Sequence, residues 1–184
     1  MKHLNRVIGG LLMENPFRFD SEKALEVILY IAEKAQIPDI YHIGKVLYFA
    51  DLSHLENYGR FICGDYYVAM KDGPVPSRVY DIIKDVRDER GEPVLSSARE
   101  SFSVDGYRIV PHRSAEENFF SKSDLGCLDE AIQKYSSLPF GKLKDISHDA
   151  AYDTADMNGE ISVFEIAKNL KGSDDLIELL GEYV

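Results

Sequence analysis

Residues 44–81 read GKVLYFADLSHLENYGRFICGDYYVAMKDGPVPSRVYD, and the fold turns on this stretch. It opens as a helix that is apolar nearly all round, with Val46, Leu47, Tyr48, Phe49 and Ala50 in a row. A helix without a clean polar side is buried on most sides. Asp39 is placed to cap it and Gly59 to close it, because glycine tolerates the positive φ that a helix C-terminus wants. The helix is therefore expected over 40–58, at the centre of the domain. GDYYVAM then reads as a short strand, Asp72-Gly73-Pro74-Val75-Pro76 as a rigid turn, and Ser77 as the start of a further helix to residue 88.

Outward from this unit, Asp20 or Ser21 caps a helix whose broad apolar face carries Ala24, Leu25, Ile28, Leu29, Ile31 and Ala32, ending before Pro38. SFSVDGYRIVP, residues 101–111, alternates as a hairpin with Asp105-Gly106 as a type I′ turn. Together with 66–71 it is expected to make a three-stranded antiparallel ribbon. From residue 121 the pattern is helical. Ser121 or Ser123 caps one helix, Pro139 starts another, Ser162 with Glu165 is a capping box, and Gly172 closes the helix that box begins. Ser173 or Asp174 caps the last. Leu4, Val7, Ile8, Leu11 and Leu12 fall at helical spacing near the N-terminus, interrupted by Gly9-Gly10. Residues 1–19 are thus read as an extension holding an amphipathic helix, packed on its own domain or available to a partner or a second copy. Residues 20–184 are read as one domain. The fold class is mainly helical α+β, with about six or seven helices around 40–58 and a small antiparallel ribbon.

The chain has 184 residues, enough for one sizeable core. Lys and Arg number 21 against 32 Asp and Glu, a formal charge of −11. That balance opposes general binding to phosphate backbones or anionic membranes and favours a basic partner. Cys63 and Cys127 stand far apart and read as reduced packing residues. No apolar run approaches membrane-spanning length. The N-terminus lacks a small-x-small cleavage site, so a cytoplasmic location is expected.

Asp51, His54 and Tyr58 are neighbours by i+3 and i+4 spacing. A carboxylate and an imidazole on one helical face can share a proton or a metal. The pair is short, however, and a metal wants three or four ligands. A buried polar network that fixes helix register is the preferred reading. Gly73-Pro74-Val75-Pro76 lacks the glycine spacing and the Lys-Ser/Thr of a phosphate loop. It presents a fixed shape, flanked by Lys71 and Arg78, which could pair with Asp65, Asp72 or Asp81. No hydrolase, metalloprotease or Walker motif is present, and no basic helix suits a DNA groove.

The order Lys45, Leu47 to Asp51, His54-Leu55, Tyr58-Gly59, Gly64-Asp65, Tyr67 to Lys71, Gly73 to Pro76 and Val79-Tyr80 resembles the Panacea domain, the SocA-like antitoxin family of bacteria and phages. Leu143, Ser147-His148 and Tyr152 resemble a later family element, with Tyr152 where relatives usually have Trp. The resemblance implies the antitoxin half of a toxin–antitoxin pair. It would bind a cognate protein toxin by occlusion, by trapping, or by delivery to a host protease, with no catalytic residue, cofactor or metal. The expected partner surface is Lys71, Asp72, Gly73, Pro74, Val75, Pro76, Arg78 and Asp81. The expected structural network is Asp51, His54, Tyr58, Asp65 and His148. Two other readings stand beside it: a phage interaction or adaptor protein without a toxin, and an enzyme using Asp51 and His54.

Overall fold

The computed structural model describes residues 15–88 and 94–182, together with the backbone of two strands nearer the N-terminus. In chain order these elements are β1 (Val7–Ile8), β2 (Leu11–Leu12), α1 (Ser21–Lys34), α2 (Ile40–Tyr58), β3 (Tyr67–Met70), β4 (Gly73–Pro76) and α3 (Ser77–Asp88). Then come α4 (Ala98–Ser101), β5 (Phe102–Asp105), β6 (Arg108–Pro111), α5 (Lys122–Tyr135), α6 (Phe140–Ser147), β7 (Glu160–Ile161), α7 (Val163–Lys168) and α8 (Ser173–Gly181). The architecture is mainly α with small antiparallel sheets, as the pattern of apolar periods implies.

The central helix has the expected bounds. Asp39 Oδ1 accepts from His42 N, and Gly59 stands at φ 74 with its N–H donating to Leu55 O. α2 packs against α1, α3, α5, α6, α7 and β4. It separates two apolar clusters. Ile43, Val46, Leu47 and Ala50 face the cluster built with α1, α3 and α5. Tyr48 and Leu55 face a second cluster holding Phe61, Tyr67, Phe164, Ile166 and Leu180. Phe49 is only half-buried and stacks on Tyr135, centroids 4.0 Å apart. Among the described residues no helix is long and apolar enough to cross a membrane.

Several local expectations are corrected. The stretch read as an N-terminal amphipathic helix contains two strands instead, Val7 pairing with Leu12 and Ile8 with Leu11. The rest of residues 1–14 lies outside the described residues, and with it the proposed docking or self-association of that segment. Gly73–Pro76 is not a turn but a strand, paired along its length with Tyr67–Met70, and the reversal is made by Lys71 and Asp72. Two prolines are tolerated because β4 is an edge strand, where missing N–H donors need no ladder partner. The ribbon is likewise two separate sheets. β3 takes β7, from residues 160–161, as its other neighbour, and among the described residues β5 pairs with β6 alone. The hairpin turn is Gly106-Tyr107, with positive φ only at Gly106, the pattern of type II′ and not I′. The capping box is at Ser121 and Asp124; Ser162 accepts from Phe164 N while Glu165 pairs with Lys168. Gly172 precedes α8 as its N-cap at φ 66, where a side-chain cap from Ser173 or Asp174 was expected.

Candidate functional site

The β3–β4 hairpin lies across α2, and Lys45 is the residue that fastens it. Lys45 is 1% exposed, and its Nζ donates to Pro74 O at 2.7 Å. The hairpin can approach this closely because residue 73 is glycine. At φ 102, a Cβ there would stand 2.6 Å from both Lys45 Nζ and Ser147 Oγ. Burial pushes the Lys45 ammonium down to about 7, against the pull of the Asp72 and Asp149 carboxylates, with Lys144 adding repulsion. Tyr41 Oη donates to Asp72 O at 3.1 Å, and Lys144 pairs with Asp72 at 2.8 Å. Tyr48 Oη donates to Asp149 Oδ2 at 2.6 Å, and Tyr152 Oη donates to Met70 O at 2.9 Å. His148 stacks on Tyr152, centroids 4.2 Å apart, and its buried Nε2 has no hydrogen-bond partner among the described residues. Burial and the nearby Lys144 and Lys45 hold the His148 pKa down.

This geometry revises the expected partner surface. Gly73, Pro74 and Pro76 are buried, so their side of the hairpin faces the domain. Lys71 and Arg78 are exposed, and Asp72, Val75 and Asp81 are half-buried. Neither Lys71 nor Arg78 makes the ion pairs considered for it. Asp72 pairs with Lys144, and Asp81 with Lys84 at 2.7 Å. Asp65 accepts the backbone N–H groups of Tyr66, Arg78 and Val79, so it caps the first turn of α3 from outside that helix. Burial still pushes its pKa up to about 6.

The expected network divides into separate sites. Asp51 Oδ1 accepts from Ile62 N and Oδ2 from Tyr67 Oη, each at 2.6 Å. Burial outweighs these bonds and raises its pKa to about 7. His54 turns the other way. Its Nδ1 donates to Arg60 O at 2.9 Å, and its Nε2 faces Ser123 Oγ and Asp124 Oδ1, both at 3.1 Å. Tyr58 is 57% exposed and meets His54 only ring to ring, centroids 4.8 Å apart. His148 belongs to the Lys45 cluster described above. No hydrogen bond joins Asp51 to His54, so the pair does not share a proton.

Asp124 is the residue the sequence reading missed. Its carboxylate, 0% exposed, also takes Lys23 at 2.6 Å and Arg60 at 2.9 Å. Burial alone would raise its pKa, but the bonds from His54, Lys23 and Ser121 N overcome this and hold it well below the usual carboxylate range. The only local signal was the Ser-x-x-Asp spacing of its capping box. Among the described residues no three His, Cys, Asp or Glu side chains are grouped to hold a metal.

Fold and site together define a mainly helical domain in which a buried lysine ties a proline-rich edge hairpin to a central helix. A family model described as antitoxin SocA-like, Panacea domain, matches residues 43–152. The match covers more than half of the chain, and the chain belongs to that family. It runs from Ile43, at the start of α2, to Tyr152, and so includes Lys45, the hairpin and Ser147-His148. No curated protein and no solved structure matches the chain.

Proposed function

We propose that the chain is the antitoxin of a toxin–antitoxin pair and neutralises a protein toxin stoichiometrically, by direct binding. Membership of the SocA-like family is the observation that carries this reading. The hairpin gives it a physical basis. Lys45 holds β4 from behind, so Lys71, Asp72 and Val75 of the hairpin, with Arg78 and Asp81 of α3, stand on an already ordered backbone. Little ordering entropy is then lost when a partner docks there. The formal charge of −11 steers a basic toxin over long range, raising the association rate more than the final affinity.

The test is co-expression with the product of the adjacent reading frame. That product alone should arrest growth, the chain should restore it, and the two should co-purify. Replacing Lys71, Arg78 and Asp81 together should weaken rescue while leaving the melting temperature unchanged. A harmless neighbour, or a toxic one that forms no complex, would sink the proposal.

A further inference from the structure

We infer that a cationic cleft, between residues 16–20 and the loop after α2, docks a carboxylate side chain of the protein partner; this rests on the antitoxin reading above. The cleft encloses about 320 Å³, and its lining includes Phe17, Arg18, Lys23, Arg60, Phe61 and Ile62. Lys23 and Arg60 both lean on one buried carboxylate, Asp124. Asp20 is the single acidic residue of the lining, and its Oδ1 is engaged by Lys23 N. Arg18 is exposed and has no carboxylate partner among the described residues. Three cations therefore face two carboxylates, in a chain whose acidic residues outnumber its basic ones by 32 to 21. The N-termini of α1 and α5, capped by Asp20 and Ser121, border the same region and add positive potential.

The backbone that carries Arg18 is also fixed in place. Asp20 N donates to Cys63 O at 2.9 Å, and Asn15 Nδ2 donates to Asp65 O at 3.2 Å, fixing the chain on either side of it. Between these ties the Arg18 carbonyl packs directly on Gly64, at φ 70, where a Cβ has no room. Phe17 and Phe61, centroids 5.1 Å apart, form an apolar wall of the cleft. A guanidinium carried on a backbone so held can meet a carboxylate in a fork. A nucleic-acid phosphate chain is disfavoured because the rest of the surface repels a polyanion. A single Asp or Glu on a basic protein meets no such repulsion. The steering charge and the anchoring charge of this antitoxin would thus have opposite signs.

The experiment measures toxin affinity of the full chain at low and high salt, beside its Arg18→Glu, Arg18→Lys and Lys142→Glu variants. Arg18→Glu should weaken binding by about tenfold or more with no change in melting temperature. Arg18→Lys should keep part of the affinity, and Lys142→Glu, an exposed cation on α6, should keep all of it. In parallel, the Arg18 Nε resonance of the labelled chain is followed during titration with N-acetylglutamate or N-acetylglutamine, each blocked as its α-N-methylamide so that only the side-chain group differs, or with inorganic phosphate. A saturable shift with N-acetylglutamate alone supports the inference. Parent-like toxin affinity in Arg18→Glu overturns it and leaves the antitoxin reading standing. If the parent captures no toxin, the antitoxin reading fails, and the titration decides the cleft. Absence of the N-acetylglutamate shift, or an equal response to phosphate, then overturns carboxylate docking.

Discussion

The ammonium of Lys45 stands too close to Gly73 for that residue to carry a side chain. Nζ donates to the neighbouring Pro74 carbonyl, 29 residues along the chain, and a Cβ on Gly73 would come within 2.6 Å of it. Lysine and glycine are therefore one device: the second makes the space that the first fills.

Gly73→Ala tests that device. The substitution meets a positive φ and a collision with two polar groups, Lys45 Nζ and Ser147 Oγ. It should destabilise the domain by about 3 kcal/mol. The check is chemical denaturation beside Gly126→Ala, a helical position where a Cβ meets nothing within 4 Å. A loss at residue 73 no larger than at residue 126 would contradict the close approach.

Asp51 and Asp65 predict a pH dependence. Burial raises their pKa values to about 7 and about 6, from an ordinary 3.8. The folded chain therefore keeps protons that the unfolded chain releases. Their contribution is complete below about pH 4 and is lost as the pH rises toward 7. In Asp51→Asn the amide can still accept from Ile62 N, and the upper part of this slope should flatten. Urea unfolding at about pH 5 and about pH 8 measures it; an unchanged slope would show that Asp51 titrates at its ordinary value.

His54 and Tyr58 should separate. His54→Ala leaves the buried Asp124 carboxylate without one of its partners and should cost about 3 kcal/mol. Tyr58→Ala removes an exposed ring and should change stability by less than about 1 kcal/mol. Thermal melts of both variants check this. Equal losses would restore the view that the two residues work as a unit.

Leu47 and Phe49 give the matching test of the central helix. Leu47 is fully buried, and truncation to Ala should cost about 2–5 kcal/mol. Phe49 is partly open and rests on Tyr135, so Phe49→Ala should cost less than Leu47→Ala despite removing the larger side chain. Denaturant midpoints of the two variants decide the order.

Three helix caps and the central helix were legible, whereas several turns and the long-range pairings were not. Asp20, Asp39 and Ser121 could be read as caps because each cap bonds a backbone N–H three residues on. The central helix could be read because its apolar residues leave no polar side. Nothing near Pro74 reveals that it pairs in a strand and meets Lys45. Nor does the sequence around Tyr67 show that Ile161 lies opposite it. Helical spacing correctly placed Asp51 beside His54, but it does not say where their polar atoms turn. That is decided by Ile62, Tyr67, Arg60 and Asp124, and Asp124 lies 70 residues from His54 in the chain. Arg18 carries no pattern at all, and the role proposed for it rests only on where residues 15–20 cross Gly64.

The carboxylate of Asp124 has a kinetic consequence. It touches α1 through Lys23, α2 through His54, the loop after α2 through Arg60, and the start of its own helix α5. None of these four segments can open without stripping a hydrogen-bond or ion-pair partner from a group sealed from water. They should therefore open together, as one cooperative unit, and not fray one at a time. A protease acting on the native chain would then meet either the closed domain or a globally open one. If this SocA-like domain is turned over by proteolysis, the rate would be set by that single concerted opening.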